Sequence, residues 1–224
     1  MRLKAALTLG LFGTLTAIVA AQVTGGQGWP RDNPPRPLAA RPVTFPPYEL
    51  RKLSNGMQVV LVSQNEQPAI SVRLIIRAGA AQDPKGKNGL AMMTATLLDQ
   101  GAGARNAEQI ADEIDFIGGV LGTGAGTDLS FVNAVVMNDG YETALGLMSD
   151  IVMRPTFAPD EIERQRSQAL SALKVSAEDP ESVAGRVIER VFYGFPRDGM
   201  PGSGSPGSLA GLRRAGVGAC DTGG

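Results

Sequence analysis

The chain has 224 residues, 43% of them hydrophobic, which is enough for one large domain or two small ones with a buried core. A formal net charge of −1, with Lys, Arg, Asp and Glu interspersed, leaves no electrostatic footprint for a phosphate backbone or an anionic membrane surface, so nucleic acid is not an expected partner. With no histidine and one cysteine, the nitrogen and sulfur ligands that select zinc are nearly absent, and neither a Ser/His/Asp nor a Cys/His arrangement can be built.

Residues 1–21 have the three parts of a secretory signal: Arg2 and Lys4, an apolar run over residues 5–19, then Val19-Ala20-Ala21. Cleavage is expected after Ala21. An apolar run of about 15 residues is short of the roughly 20 that a spanning helix needs, so the mature chain is expected to be soluble and exported, periplasmic or extracellular, without a membrane anchor. Residues 22–47 are rich in proline, glycine and arginine and read as an extended leader.

Residues 48–53 and 57–62 alternate apolar and polar side chains around Asn55-Gly56, the signature of a β-hairpin. Residues 70–78 (ISVRLIIRA) are β-branched enough for a central strand, and a polar segment then leads into a short helix from Leu90. Asn106 is placed to cap a helix through Ile110, Ile114 and Phe116, with Gly118-Gly119 ending it where positive φ is cheap. Residues 120–123 form a short strand and residues 130–137 (SFVNAVVM) a longer one, followed by an amphipathic helix over residues 141–152. Pro159 starts a long helix to about Glu178, Asp179-Pro180 stops it, and a further helix covers residues 181–193. The pattern is α+β, a mostly antiparallel sheet with helices over one face. Residues 48–198 are expected to form the domain. Residues 199–224 are dominated by glycine, serine and proline, with only Leu209 and Leu212 to bury, and read as a loosely attached tail.

The order of these pieces, together with LSNGMQVVLV, AGAAQDPKGKNGLA, IGGVLGTGAGTDLSF and RPTFAPDEIERQR, resembles the N-terminal half-repeat of the insulinase-like or pitrilysin-like zinc peptidases, the M16 group, over about residues 46–212. Each piece alone is common; the specificity lies in their order. In active members the helix after Gly-Leu-Ala carries an inverted motif, H-x-x-E-H, in which two histidines hold zinc and the glutamate is the base. Those positions fall here on Met92, Ala95 and Thr96, and the further carboxylate ligand of the family falls on Ala172. A thioether and a hydroxyl supply neither imidazole nor negative charge, so no catalytic residue, metal or other cofactor is expected; the helix reads as core.

The resemblance implies an edge strand that pairs with an extended substrate peptide, which needs only backbone N–H and C=O groups and survives loss of the metal. Here that strand is Val120, Leu121, Gly122 and Thr123, and an ordinary edge strand is an equal alternative. Asp99, Asp112, Asp115 and Asp128 read as solvated charge, and GGVLGTGAGTD lacks the spacing and lysine of a phosphate loop. Cys220 reads as an unpaired bystander. By resemblance the chain is expected to be the non-catalytic subunit of an exported peptide-degrading or processing complex, paired with a zinc-bearing M16 paralogue. A stand-alone peptide-binding or scaffold protein is the alternative. Family subunits usually carry a second half-repeat, and the ending GVGACDTGG departs from the family where an aromatic-rich segment is expected, so a natural single half-repeat and a truncated or frame-shifted product both stay open.

Overall fold

A computed structural model describes residues 45–193 and 202–222; the signal segment with Ala21, and residues 22–44 of the leader, lie outside the described residues. The chain divides into two compact units, one ending at Ser63 and one starting at Gln64.

The described part of the first unit is the hairpin. Strands β1 (Tyr48–Lys52) and β2 (Gln58–Val62) pair antiparallel with Tyr48 opposite Val62 and Lys52 opposite Gln58. Gly56 takes φ +91°, a conformation that costs glycine nothing, while the Asn55 side chain accepts the Met57 N–H at 3.1 Å.

The second unit holds a three-stranded antiparallel sheet in the order β3–β7–β6, with β3 at Ala69–Ile76, β6 at Val120–Ala125 and β7 at Ser130–Met137. β7 is central because its alternate residues Val132, Ala134 and Val136 are apolar and buried against the helices, while Asn133 and Met137 alternate to the other side. A minor pair, β4 (Gly101–Ala102) and β5 (Arg105–Asn106), was not legible as strand in the sequence; it is a two-residue ladder on a Gly-rich turn.

Helices α1 (Leu90–Leu97), α2 (Ala107–Phe116), α3 (Tyr141–Met153), α4 (Pro159–Glu178) and α5 (Pro180–Tyr193) follow the expected order. Asn106 caps α2 in a reciprocal box with Gln109, its Oδ1 accepting the Gln109 N–H at 2.8 Å and its own N–H donating to Gln109 Oε1 at 3.0 Å. Asp179 accepts the Ser182 N–H at 2.8 Å, so the residue that ends α4 also starts α5. Leu97, Ile110, Ile114, Leu147 and Ile151 fill the core between these helices and the buried face of β7.

Two expectations are corrected. The strand expected at residues 120–123 runs on to Ala125, because Gly124 and Ala125 keep pairing with Phe131 and Ser130 despite their low intrinsic strand preference. The expected loose tail contains α6 (Pro206–Gly211) and α7 (Arg214–Thr222), and its Leu209, Leu212 and Val217 are buried in the main core. Ser205 caps α6 by accepting the Ser208 N–H at 3.2 Å, and Pro206 occupies the first helical position, where its missing N–H costs nothing. Leu209 and Leu212 were legible as apolar, but the glycine-rich composition masked the third anchor, Val217, and the capping serine.

Candidate functional site

Helix α1 is the element on which a metal site is implied, and its position is fixed by an acid rather than by its own cap. Gly89, at φ +90°, offers no capping side chain; instead the buried Asp83 carboxylate accepts the N–H groups of Gly89 at 2.7 Å, Leu90 at 3.0 Å and Ala91 at 2.9 Å. Burial pushes the Asp83 carboxyl above its ordinary value, against the three N–H bonds that favour the anion. A side chain on Gly89 would meet Gly204 Cα and Leu209 Cδ2, each at 3.0 Å, so the Gly-Leu-Ala turn and the C-terminal segment interlock.

The four lost-motif positions, three on this helix and one on α4, do different things. Met92 is 38% exposed, so the reading of this helix as core is corrected at that residue; Met93, one position on, takes the core-facing place. Ala95 is 3% exposed and packs in a small cluster with Ala91 and with Ala125 of β6. Thr96 donates its hydroxyl to the Met92 carbonyl at 2.8 Å, four residues back along its own helix. Ala172 lies exposed on α4. The donor chemistry of these residues does not fit zinc: two methyl groups, a thioether and a hydroxyl already bonded to backbone offer no anionic or imidazole ligand. Among the described residues no three His, Cys, Asp or Glu side chains gather in a way that could hold a metal ion. Asp112, Asp115 and Asp128 are exposed, and Asp99 accepts a hydrogen bond from Gln100 Nε2 at 2.6 Å.

Cys220 is half-buried on α7, and burial pushes its thiol above the ordinary value, with the Thr94 hydroxyl acting in the opposite sense. Its side chain packs against the main core.

Val120, Leu121, Gly122 and Thr123 lie on β6, which pairs with β7 on one side and, among the described residues, with no strand on the other. Val120 is exposed and Leu121 packs toward the core. Beside the start of this edge is a cleft of about 270 Å³, lined by Asp99 and Gln100 after α1, by Ile110, Ile114 and Asp115 of α2, and by Leu121. Sequence reasoning missed the cleft because its walls come from three separated segments; the signal available was the acid at residue 99, immediately after an otherwise apolar helix end.

A crystal structure described as the peptidase M16 inactive domain from Pseudomonas fluorescens superimposes with a TM-score of 0.75 at 25% identity, covering 78% of this chain and 43% of that one. Pitrilysin shares the fold with a TM-score of 0.63 at 21% identity, over 78% of this chain and 19% of its own. Among curated relatives, an uncharacterized zinc protease of Rickettsia bellii (strain RML369-C) is 25% identical over 151 residues, 67% of this chain and 36% of its own length. A zinc protease of Mycobacterium tuberculosis (strain ATCC 25618 / H37Rv), likewise uncharacterized, is 26% identical over 189 residues, 83% of this chain and 41% of its own. The chain therefore spans about two fifths of the length of these curated relatives. The family model for insulinase, peptidase family M16, matches residues 58–197, more than half of the chain. The chain belongs to the M16 insulinase family of peptidases.

Proposed function

We propose that this chain is a non-catalytic M16 unit of an exported peptide-degrading or peptide-processing complex, holding extended peptides along β6 while a zinc-bearing paralogue supplies the chemistry. The observation that carries this reading is the contact between α1 and β6. Ala95 stands where the family has its base, and it is packed with Ala91 and Ala125 at the end of the strand whose outer edge pairs with no strand among the described residues. Chemistry is missing while the peptide-pairing edge remains, because strand addition uses backbone groups that no side-chain substitution removes. The Pseudomonas fluorescens structure, described as an inactive domain, supports the same reading.

Hydrolysis of a quenched fluorescent peptide by a zinc-bearing paralogue from the same source, with and without this chain, tests it. Stimulation of the paralogue, with no turnover by the chain alone, is the expected result. Peptide binding without stimulation favours a stand-alone peptide-binding protein, and chelator-sensitive cleavage by the chain alone overturns the proposal.

A further inference from the structure

The cleft lies where β6 begins. Its floor is the apolar pair Ile110 and Ile114, and its rim carries the carboxylates Asp99 and Asp115. At about 270 Å³ it falls below the roughly 300–1,000 Å³ of small-molecule sites, a size suited to one long side chain. Directly opposed residues of a β ladder project to the same face. Leu121 faces the core side and lines the cleft, so a peptide residue paired opposite Leu121 sends its own side chain to that side. Neither Asp99 nor Asp115 forms an ion pair among the described residues; Asp99 accepts one hydrogen bond, from Gln100. The guanidinium of Arg164, bonded to Gln100, is engaged by Glu161.

Resting on the peptide-binding reading above, we propose that this cleft is a specificity pocket for a lysine or arginine side chain of an extended peptide, with Asp99 and Asp115 as the residues that set the preference. An apolar floor beneath an acidic rim matches a side chain with an apolar stem and a cationic tip. A glutamate placed there meets like charge, and a leucine fills the floor without engaging the rim.

The test is fluorescence polarisation of the full chain with a dye-labelled, end-capped peptide of alternating valine and threonine carrying one central lysine, beside otherwise identical leucine and glutamate peptides. At low salt the lysine peptide should bind about fivefold more tightly than the leucine peptide, and high salt should remove most of the difference. In the double variant Asp99→Asn with Asp115→Asn, the lysine and leucine peptides should bind alike, at the affinity the parent chain shows for leucine; retained leucine binding verifies that the variant is folded. Asp115→Asn alone, at an exposed position, should reduce the preference about twofold. Equal affinity of the parent chain for all three peptides, or a lysine preference that survives both substitutions, overturns the pocket while leaving peptide binding along β6 in place. Failure of every peptide to bind overturns both.

Discussion

The guanidinium of Arg166 donates through Nη2 to the Leu212 carbonyl at 2.6 Å and through Nε to the Leu209 carbonyl at 3.1 Å, joining α4 to residues 46 and 43 positions farther along the chain. Its remaining Nη1 pairs with Glu163, one turn away on the same helix. A planar fork of donors, 8% exposed, thus reaches two carbonyls at the end of α6: that of Leu212, and that of Leu209, which also accepts the Leu212 N–H at 3.2 Å.

Arg166→Met should destabilise the second unit by about 2 kcal/mol, since the buried Leu212 carbonyl loses its donor, the Leu209 carbonyl keeps only the Leu212 N–H, and Glu163 loses its partner. Arg166→Lys should recover less than half of the loss, because one ammonium cannot reproduce the fork. Urea unfolding measures the loss, and limited proteolysis should show new cleavage within residues 202–222. An unchanged midpoint for Arg166→Met contradicts this account of the C-terminal segment.

Restoring one family residue should be tolerated at one position and not at another. Met92 is 38% exposed, so Met92→His should change stability by no more than about 0.5 kcal/mol. Ala95→Glu forces a carboxylate and added volume into the cluster of Ala91, Ala95 and Ala125, and should cost about 2–4 kcal/mol. Parallel urea titrations compare the two; equal midpoints contradict the assignment of Ala95 as sealed core.

These contrasts also show what the sequence made legible. The Asn55-Gly56 turn, the Asn106 cap and the Asp179-Pro180 break are local chemistry, and each element boundary they set lies within a residue or two of its expected place. The loss of ligands at Met92, Ala95, Thr96 and Ala172 is likewise a matter of residue type. Which of these faces solvent is not, because Met92 and Met93 are adjacent and only packing separates the exposed one from the buried one. Long-range partners were hidden for the same reason: Asp83 caps a helix six to eight residues on, and Arg166 reaches α6 across 43 residues, distances at which no spacing rule operates. The cleft needs three segments brought together, and the C-terminal helices were obscured by composition.

Asp150 should make stability depend on pH. The Arg154 guanidinium, through its hydrogen bond and charge and with help from Arg105 at 2.6 Å, holds the Asp150 carboxyl below its ordinary value. The folded state therefore releases this proton more readily than the unfolded chain, so the contribution is fully present above the unfolded value and is lost as pH falls through the folded one. Asp150→Asn should cost about 1 kcal/mol above about pH 5, and the difference from the parent chain should shrink on acidification below about pH 4. A difference that stays constant across that range contradicts the assignment.

Asp83 should act with the opposite sign. Burial raises its folded value, so its favourable contribution is present in acid and is lost as pH rises through that value. Asp83→Asn removes this dependence along with the carboxylate, and the stability gap between parent and variant should be widest in acid and narrow toward neutrality. Urea midpoints measured from about pH 4 to about pH 7 decide it, and a gap that widens toward neutrality shows that the three N–H bonds outweigh burial.

Peptide pairing along β6 should depend on which edge of the peptide is blocked. In a β-strand, the N–H and C=O groups of alternate residues point to opposite edges, so N-methylation of alternate residues removes donors from one edge and leaves the other intact. The register is set by the side chain opposite Leu121, because a slip of one residue turns every side chain to the wrong face. With lysine held at that position, two peptides methylated on alternating sets should differ sharply. The one whose pairing edge is blocked should lose at least about tenfold in affinity, each forfeited bond contributing about 1 kcal/mol, while its isomer binds within about twofold of the unmethylated peptide. If both isomers lose affinity equally, or neither does, the peptide is held by side chains alone and β6 is an ordinary edge strand.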